Sequence, residues 1–171
     1  MRFLFLNSEA VTIITGVWMI MKERVLIFRP LRKEDIDELH ELLNNLSERA
    51  KLFFHPHPFD KKTLKELCSS ERDHYFVLIL DGKIIGYSML RLFHYTVPSL
   101  GCCIRNGYEN RGYGTLLVRW TLEEAKRLGY KEVILHVYEE NKAARRIYEK
   151  VGFKIIKRND EKKELRMSIT L

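Results

Sequence analysis

With 171 residues and 46% hydrophobic content, the chain is long enough for one domain with a real core, and too mixed in composition for a disordered or fibrous protein. Net charge is +7, yet basic and acidic residues alternate, as in KERVLIFRPLRKEDIDEL and RNDEKKELR, so the surface reads as mixed and solvated. That pattern argues against a dedicated nucleic-acid binder and leaves room for an anionic ligand.

Three cysteines, Cys68, Cys102 and Cys103, give neither a disulfide framework nor a zinc spacing, and a reducing, cytoplasmic setting is expected. The chain contains no Gln and is rich in Lys, Glu and Arg, a balance shared with thermophilic proteins. Residues 1–21 are apolar but interrupted by Asn7, Ser8, Glu9 and Thr12. They lack the ~18–20 uninterrupted apolar residues of a membrane span, so no membrane association is expected. We read them as an N-terminal extension, either extra strands or an upstream segment ahead of a start at Met19 or Met21. Residues 22–171 form the single domain.

From Val25 the pattern becomes regular. Val25–Pro30 reads as a strand, and Arg32–Leu46 as a helix with Ile36, Leu39, Leu42, Leu43 and Leu46 on one face. Leu52–Phe59 is a proline-stiffened aromatic loop, suited to lining a site, and precedes a short helix over Lys61–Cys68. His55 and His57 in that loop invite a metal reading, but no third ligand lies nearby in sequence and the alternating prolines explain a rigid turn.

Tyr75–Leu80 and Lys83–Phe93 are apolar strands joined by Asp81-Gly82, a hairpin signal. A strand over Val97–Arg105 leads into the loop Asn110-Arg111-Gly112-Tyr113-Gly114-Thr115, which opens a helix over 114–128. Two glycines there let successive N–H groups turn one way, and the helix adds unpaired N–H groups and a partial positive charge. That order builds an anion site able to take a pyrophosphate; an ordinary strand-to-helix loop is the plainer reading. Lys131–Val137 is a further strand, Asn141–Val151 a helix ended by Gly152, and strands close the chain near Phe153–Lys157 and Leu165–Leu171. The fold class is mixed α/β, an antiparallel sheet followed by a βαβ-like crossover, with a twisted sheet of about six to seven strands.

Glu109-Asn110-Arg111-Gly112-Tyr113-Gly114 resembles the acetyl-CoA signature Gln/Arg-x-x-Gly-x-Gly/Ala of the GCN5-related N-acetyltransferase superfamily, with Glu109 departing from it, as does Asn106 from the preceding Val-x-Pro. Asn141 to Phe153 resembles the same family's Asn-x-x-Ala-x-x-x-Tyr-x-x-x-Gly-Phe helix. The resemblance runs from about Val25 to Leu171. It implies that acetyl-CoA is the co-substrate, with the loop from Asn110 to Thr115 holding phosphates. It also implies that Asn141 hydrogen-bonds the pantetheine and that Tyr148 protonates the departing thiolate. The backbone N–H groups of Cys102 and Ile104, on one side of a strand, would pair with the amide-rich pantetheine.

His136, in Leu135-His136-Val137, occupies the place of a general-base Glu in family members that act on peptide amines. A base or a structural histidine both fit it. Ser99 stands where many relatives carry another Glu. Residues 45–54 resemble the substrate-side loop of protein-lysine acetyltransferases, so the acceptor amine is a protein lysine, an N-terminal amine or a small molecule. The resemblance also implies a homodimer through the terminal strands. Two other readings stay open: a non-catalytic acyl-CoA sensor, which Ser99 and Glu109 would fit, and a covalent route through Cys102 or Cys103.

Overall fold

The computed structural model describes residues 2–6, 9–13, 19–21, 24–93 and 96–171, with side chains described from Val25 onward. Ten strands and five α-helices are found among these residues. Strands β1 (Arg2–Leu6) and β2 (Glu9–Ile13) pair antiparallel as a separate two-stranded sheet. The main sheet comprises β3 (Met19–Met21), β4 (Arg24–Pro30), β5 (His74–Leu80), β6 (Lys83–Arg91), β7 (Ser99–Ile104), β8 (Glu132–Tyr138), β9 (Lys154–Asn159) and β10 (Glu164–Thr170). Their spatial order is β3-β4-β5-β6-β7-β8-β10-β9, and every pairing is antiparallel except β7 with β8. The mixed α/β class expected from the sequence is therefore present, as an eight-stranded sheet once the three-residue β3 is included.

Two helical layers cover the sheet. On one face, α1 (Ile36–Asn44) and α3 (Lys61–Leu67) bury Ile36, Leu39, Leu42, Leu43 and Leu64 against Val77, Ile79, Tyr87 and Met89. On the other, α4 (Tyr113–Arg127) and α5 (Lys142–Val151) pack Val118, Leu122, Ala125 and Tyr148 against Phe76, Leu90, Leu100, Leu135 and Val137. The period-2 alternation of β7 and β8 thus sends Leu100, Cys102, Val133, Leu135 and Val137 toward α4 and α5, and Cys103 toward α1. No helix among the described residues is long and apolar enough to cross a membrane.

Two local expectations need correction. Leu52–Phe59 is not all loop: α2 (Glu48–Phe53) runs into it, started by Ser47, whose hydroxyl accepts from the Ala50 N–H at 3.2 Å. Strand β7 begins at Ser99 rather than at Val97, because Pro98 has no N–H to give a ladder; its carbonyl instead accepts from Ile134 N–H at 3.0 Å.

Candidate active site

The candidate site is an opening between β7 and β8. Their pairing is a single register step, Ser99 opposite Ile134, after which no further pairing joins the two strands. β7 itself stays paired to β6 as far as Arg105, whose N–H bonds to Ile85 O at 2.8 Å. In an antiparallel ladder N–H directions alternate, so with Arg105 bonded to β6 the N–H groups of Ile104 and Cys102 point away from β6, into the opening.

At the end of that opening the chain turns through Gly107 (φ +86°), Asn110 (φ +60°) and Gly112 (φ +85°) into α4. Gly112 is the N-cap residue in a left-handed conformation, where any side chain would be strained. The first intrahelical bond runs from Leu116 N–H to Gly112 O at 3.1 Å, and no side chain caps the helix. The N–H groups of Tyr113, Gly114 and Thr115 are thereby left for an anion at the positive end of a 15-residue helix. Gly114 is needed for a second reason. A Cβ there would stand 3.0 Å from Ile147 Cδ1, so its absence lets α5 approach the loop.

Glu109, the departure from the family pattern, is engaged in the turn before this helix. Its carboxylate accepts from Gly107 N–H at 2.6 Å and closes the preceding turn. Arg111 is exposed, with its guanidinium over the Tyr108 ring at 5.7 Å, leaving its charge beside the loop.

Helix α5 supplies the third wall. Asn141 is its N-cap, and its side-chain oxygen accepts from Ala144 N–H at 3.2 Å, which leaves its NH2 group free to donate. The helix ends at Gly152, where Phe153 N–H donates to Tyr148 O at 3.0 Å, and the Phe153 ring packs edge-on against Tyr148 at 5.7 Å. This fixes Tyr148 with its hydroxyl 3.7 Å from Cys102 Sγ, on the strand whose N–H groups face the opening. Burial pushes the phenol well above its ordinary pKa, and it stays protonated at any working pH.

The same burial raises Cys102 to about 11, only partly offset by the Tyr148 hydroxyl, and pushes Cys103 well up as well. Both stay thiols near neutral pH. Among the described residues no histidine or carboxylate is bonded to either sulfur, which leaves the covalent route through a cysteine without a base.

His136 stands on the opposite face of β8 from α5, exposed, directly across from Arg166 on β10. Desolvation lowers its pKa; Glu164 opposes that, and Arg166 and Lys162 add to it. The ring is therefore neutral at neutral pH and able to take a proton. Further along the same face, Tyr138 meets Phe53 of α2 at 5.8 Å and His55 at 6.3 Å between ring centroids. The aromatic loop is thus a wall beside the β8 end of the opening.

His57 has a different job from His55. Its Nδ1 lies 2.7 Å from Pro58 O and its Nε2 3.0 Å from Tyr87 Oη, so both ring nitrogens are engaged in holding the loop to the sheet. Arg91 adds a bond to Pro56 O at 2.6 Å and lies 3.5 Å from Asp73. Among the described residues no group of three or more His, Cys, Asp or Glu could hold a metal ion.

Residues the motifs did not single out complete the frame. Buried Arg105 donates to Ile84 O at 2.7 Å and to Glu41 at 2.8 Å, tying the root of the glycine loop to β6 and α1. An arginine at the end of a strand was the only sequence sign of it.

Residues 25–154 match the family described as Acetyltransferase (GNAT) domain. The chain is similar to the L-amino acid N-acetyltransferase AaaT of Escherichia coli, at 28% identity over 107 residues, 58% of this chain and 65% of that protein, a little under two thirds of its length. Its fold is similar to an acetyltransferase of GNAT family from Streptococcus pneumoniae, with TM-score 0.70 and 25% identity over 85% of this chain and 99% of that one. It is also similar in fold to the spermidine N-acetyltransferase of Vibrio cholerae, solved with CoA and spermine, with TM-score 0.72 and 23% identity over 85% and 95%.

Proposed function

The chain belongs to the GNAT acetyltransferase family, and we propose that it transfers acetyl from acetyl-CoA to a primary amine by direct attack, both substrates being bound together at the β7–β8 opening. The observation that carries this reading is the convergence on one opening of three donor sets. They are the free N–H groups at the start of α4, the outward N–H groups of Cys102 and Ile104, and the protonated hydroxyl of Tyr148. Their order along the opening suits a ligand with a pyrophosphate at one end, an amide-rich arm in the middle and a thioester at the other end.

In this reading the loop from Asn110 to Thr115 takes the pyrophosphate, and the Asn141 NH2 group and the β7 N–H groups take the pantetheine arm. One of the β7 N–H groups polarises the thioester carbonyl and stabilises the oxyanion. His136 takes a proton from the amine directly or through a water, the amine nitrogen bonds to the carbonyl carbon, the C–S bond breaks, and Tyr148 protonates the sulfur. Similarity to proteins named for amino acid and spermidine acetylation supports an amine acceptor and leaves its class to experiment.

The sensor reading is favoured by one specific feature, Ser99 in place of a family carboxylate. It predicts binding of acetyl-CoA without turnover. Calorimetric titration of acetyl-CoA, followed by a panel of amines with free-thiol detection, separates the two. Thiol release with any amine class supports the enzyme, and binding with no release supports the sensor.

A further inference from the structure

The sheet continues past β8 into β10, and on the face turned away from α5 it carries a charge that the acetyl-transfer reading leaves unused. Arg166 lies directly opposite His136. Residues so paired are about 4.5–5.5 Å apart at Cα, with side chains on one face. Arg166 is half-buried, its Nε is enclosed without a hydrogen-bond partner, and no carboxylate among the described residues pairs with it. Arg91 and Arg145 also leave Nε unbonded, but their NH groups are held, by Pro56 O and by Glu139 O and Glu149, as Arg29 is held by Asp35 and Arg105 by Glu41. A partly desolvated guanidinium with unused donors favours an anion, above all a carboxylate that fits its fork.

We propose that Arg166 anchors the carboxylate of an α-amino acid acceptor whose amine stands at His136. In an α-amino acid both groups hang from the same carbon, which matches a base and a cation on directly paired residues. A lysine side chain or a polyamine has no carboxylate so close to its reacting nitrogen, and a protein N-terminus offers only a neutral amide there. Glu164, opposite Tyr138 one step along the same face, is a carboxylate whose charge also acts on His136. Lys162 adds to the positive field at His136.

This inference rests on the acetyl-transfer reading above, and its test keeps the two apart. Thiol release from acetyl-CoA is followed with common L-amino acids, each against its own amide, and with Nα-acetyl-lysine methylamide, using the unaltered chain and Arg166→Gln. The expected result is a kcat/KM about 10- to 100-fold higher for an amino acid than for its amide, the size of one lost charge-assisted contact. Arg166→Gln should abolish that preference by raising KM for the amino acid, leave the amide's kinetics on the high-pH plateau unchanged, and be partly rescued by Arg166→Lys. Equal rates for amino acid and amide in the unaltered chain, or preference for the lysine probe, would overturn the inference while leaving the acetyltransferase reading in place. So would an Arg166→Gln variant that slows both acceptors equally through kcat. No thiol release with any amine would overturn both.

Discussion

Replacing Tyr148 by Phe removes one oxygen and leaves the ring, so its effects on stability and on catalysis should come apart. The hydroxyl's one described partner is Cys102 Sγ at 3.7 Å, a weak contact, whereas the ring keeps its edge packing on Phe153 at 5.7 Å. Losing a poorly bonded buried hydroxyl costs at most about 1 kcal/mol, and thermal unfolding should shift by only a few degrees. A proton donor to the leaving thiolate contributes about 10²–10⁴ in rate, or about 3–5 kcal/mol of transition-state stabilisation. The expected result is therefore a kcat lowered at least about 100-fold with KM for acetyl-CoA nearly unchanged. Single-turnover thiol release, with the melting curve of each protein beside it, measures both. A kcat within about threefold of the parent would refute the role and leave Tyr148 as a core aromatic.

Further outcomes follow from other parts of the site. Gly112→Ala forces a side chain into a φ of +85° at the N-cap of α4, which should cost about 1–2 kcal/mol and raise KM for acetyl-CoA with little change in kcat; unchanged cofactor affinity would argue against the loop as the phosphate site. Because desolvation, Arg166 and Lys162 lower the His136 pKa below 6.5, the rising limb of kcat/KM against pH should have its midpoint below 6.5. Arg166→Gln, measured on an amide acceptor, should move that midpoint upward, and His136→Gln should remove the limb. Arg105→Met breaks bonds to Ile84 O and Glu41; since Glu41 is more than half exposed, the cost should be about 1–3 kcal/mol rather than that of a fully buried pair, read by denaturant unfolding. His57 has its pKa lowered from 6.5 mainly by burial, so the stability that its neutral form supports is present above pH 6.5 and is lost as pH falls through its folded value. Melting curves at about pH 7.5 and about pH 5.5 should show that loss, and His57→Gln should weaken it.

Much of this was legible before the structure. Alternation and helical periodicity gave β5, β6, α4 and α5 within a residue or two, because each has a clear apolar stripe and a Gly stop or turn. The glycine loop was legible because Gly112 needs positive φ, and Gly114 because α5 comes close. Helix α2 was missed because six residues with no buried side chain carry no periodic signal; Ser47 was its only sign.

Other features depend on register and on contacts that no local pattern encodes. Cys102 meets Tyr148 across 46 positions, and Arg166 meets His136 only because β10 returns beside β8. The capping bond that occupies the Asn141 oxygen, and the turn that occupies the Glu109 carboxylate, decide what those side chains have left to offer. Residue type alone did not settle either.

The most direct test of the central claim is a single-cell experiment: acetyl-CoA titrated by calorimetry, then amines added with free thiol recorded. The expected result is saturable binding, weakened by Gly112→Ala, and thiol release matched mole for mole by acetylated amine. Absence of acetyl-CoA binding to the folded chain would contradict it.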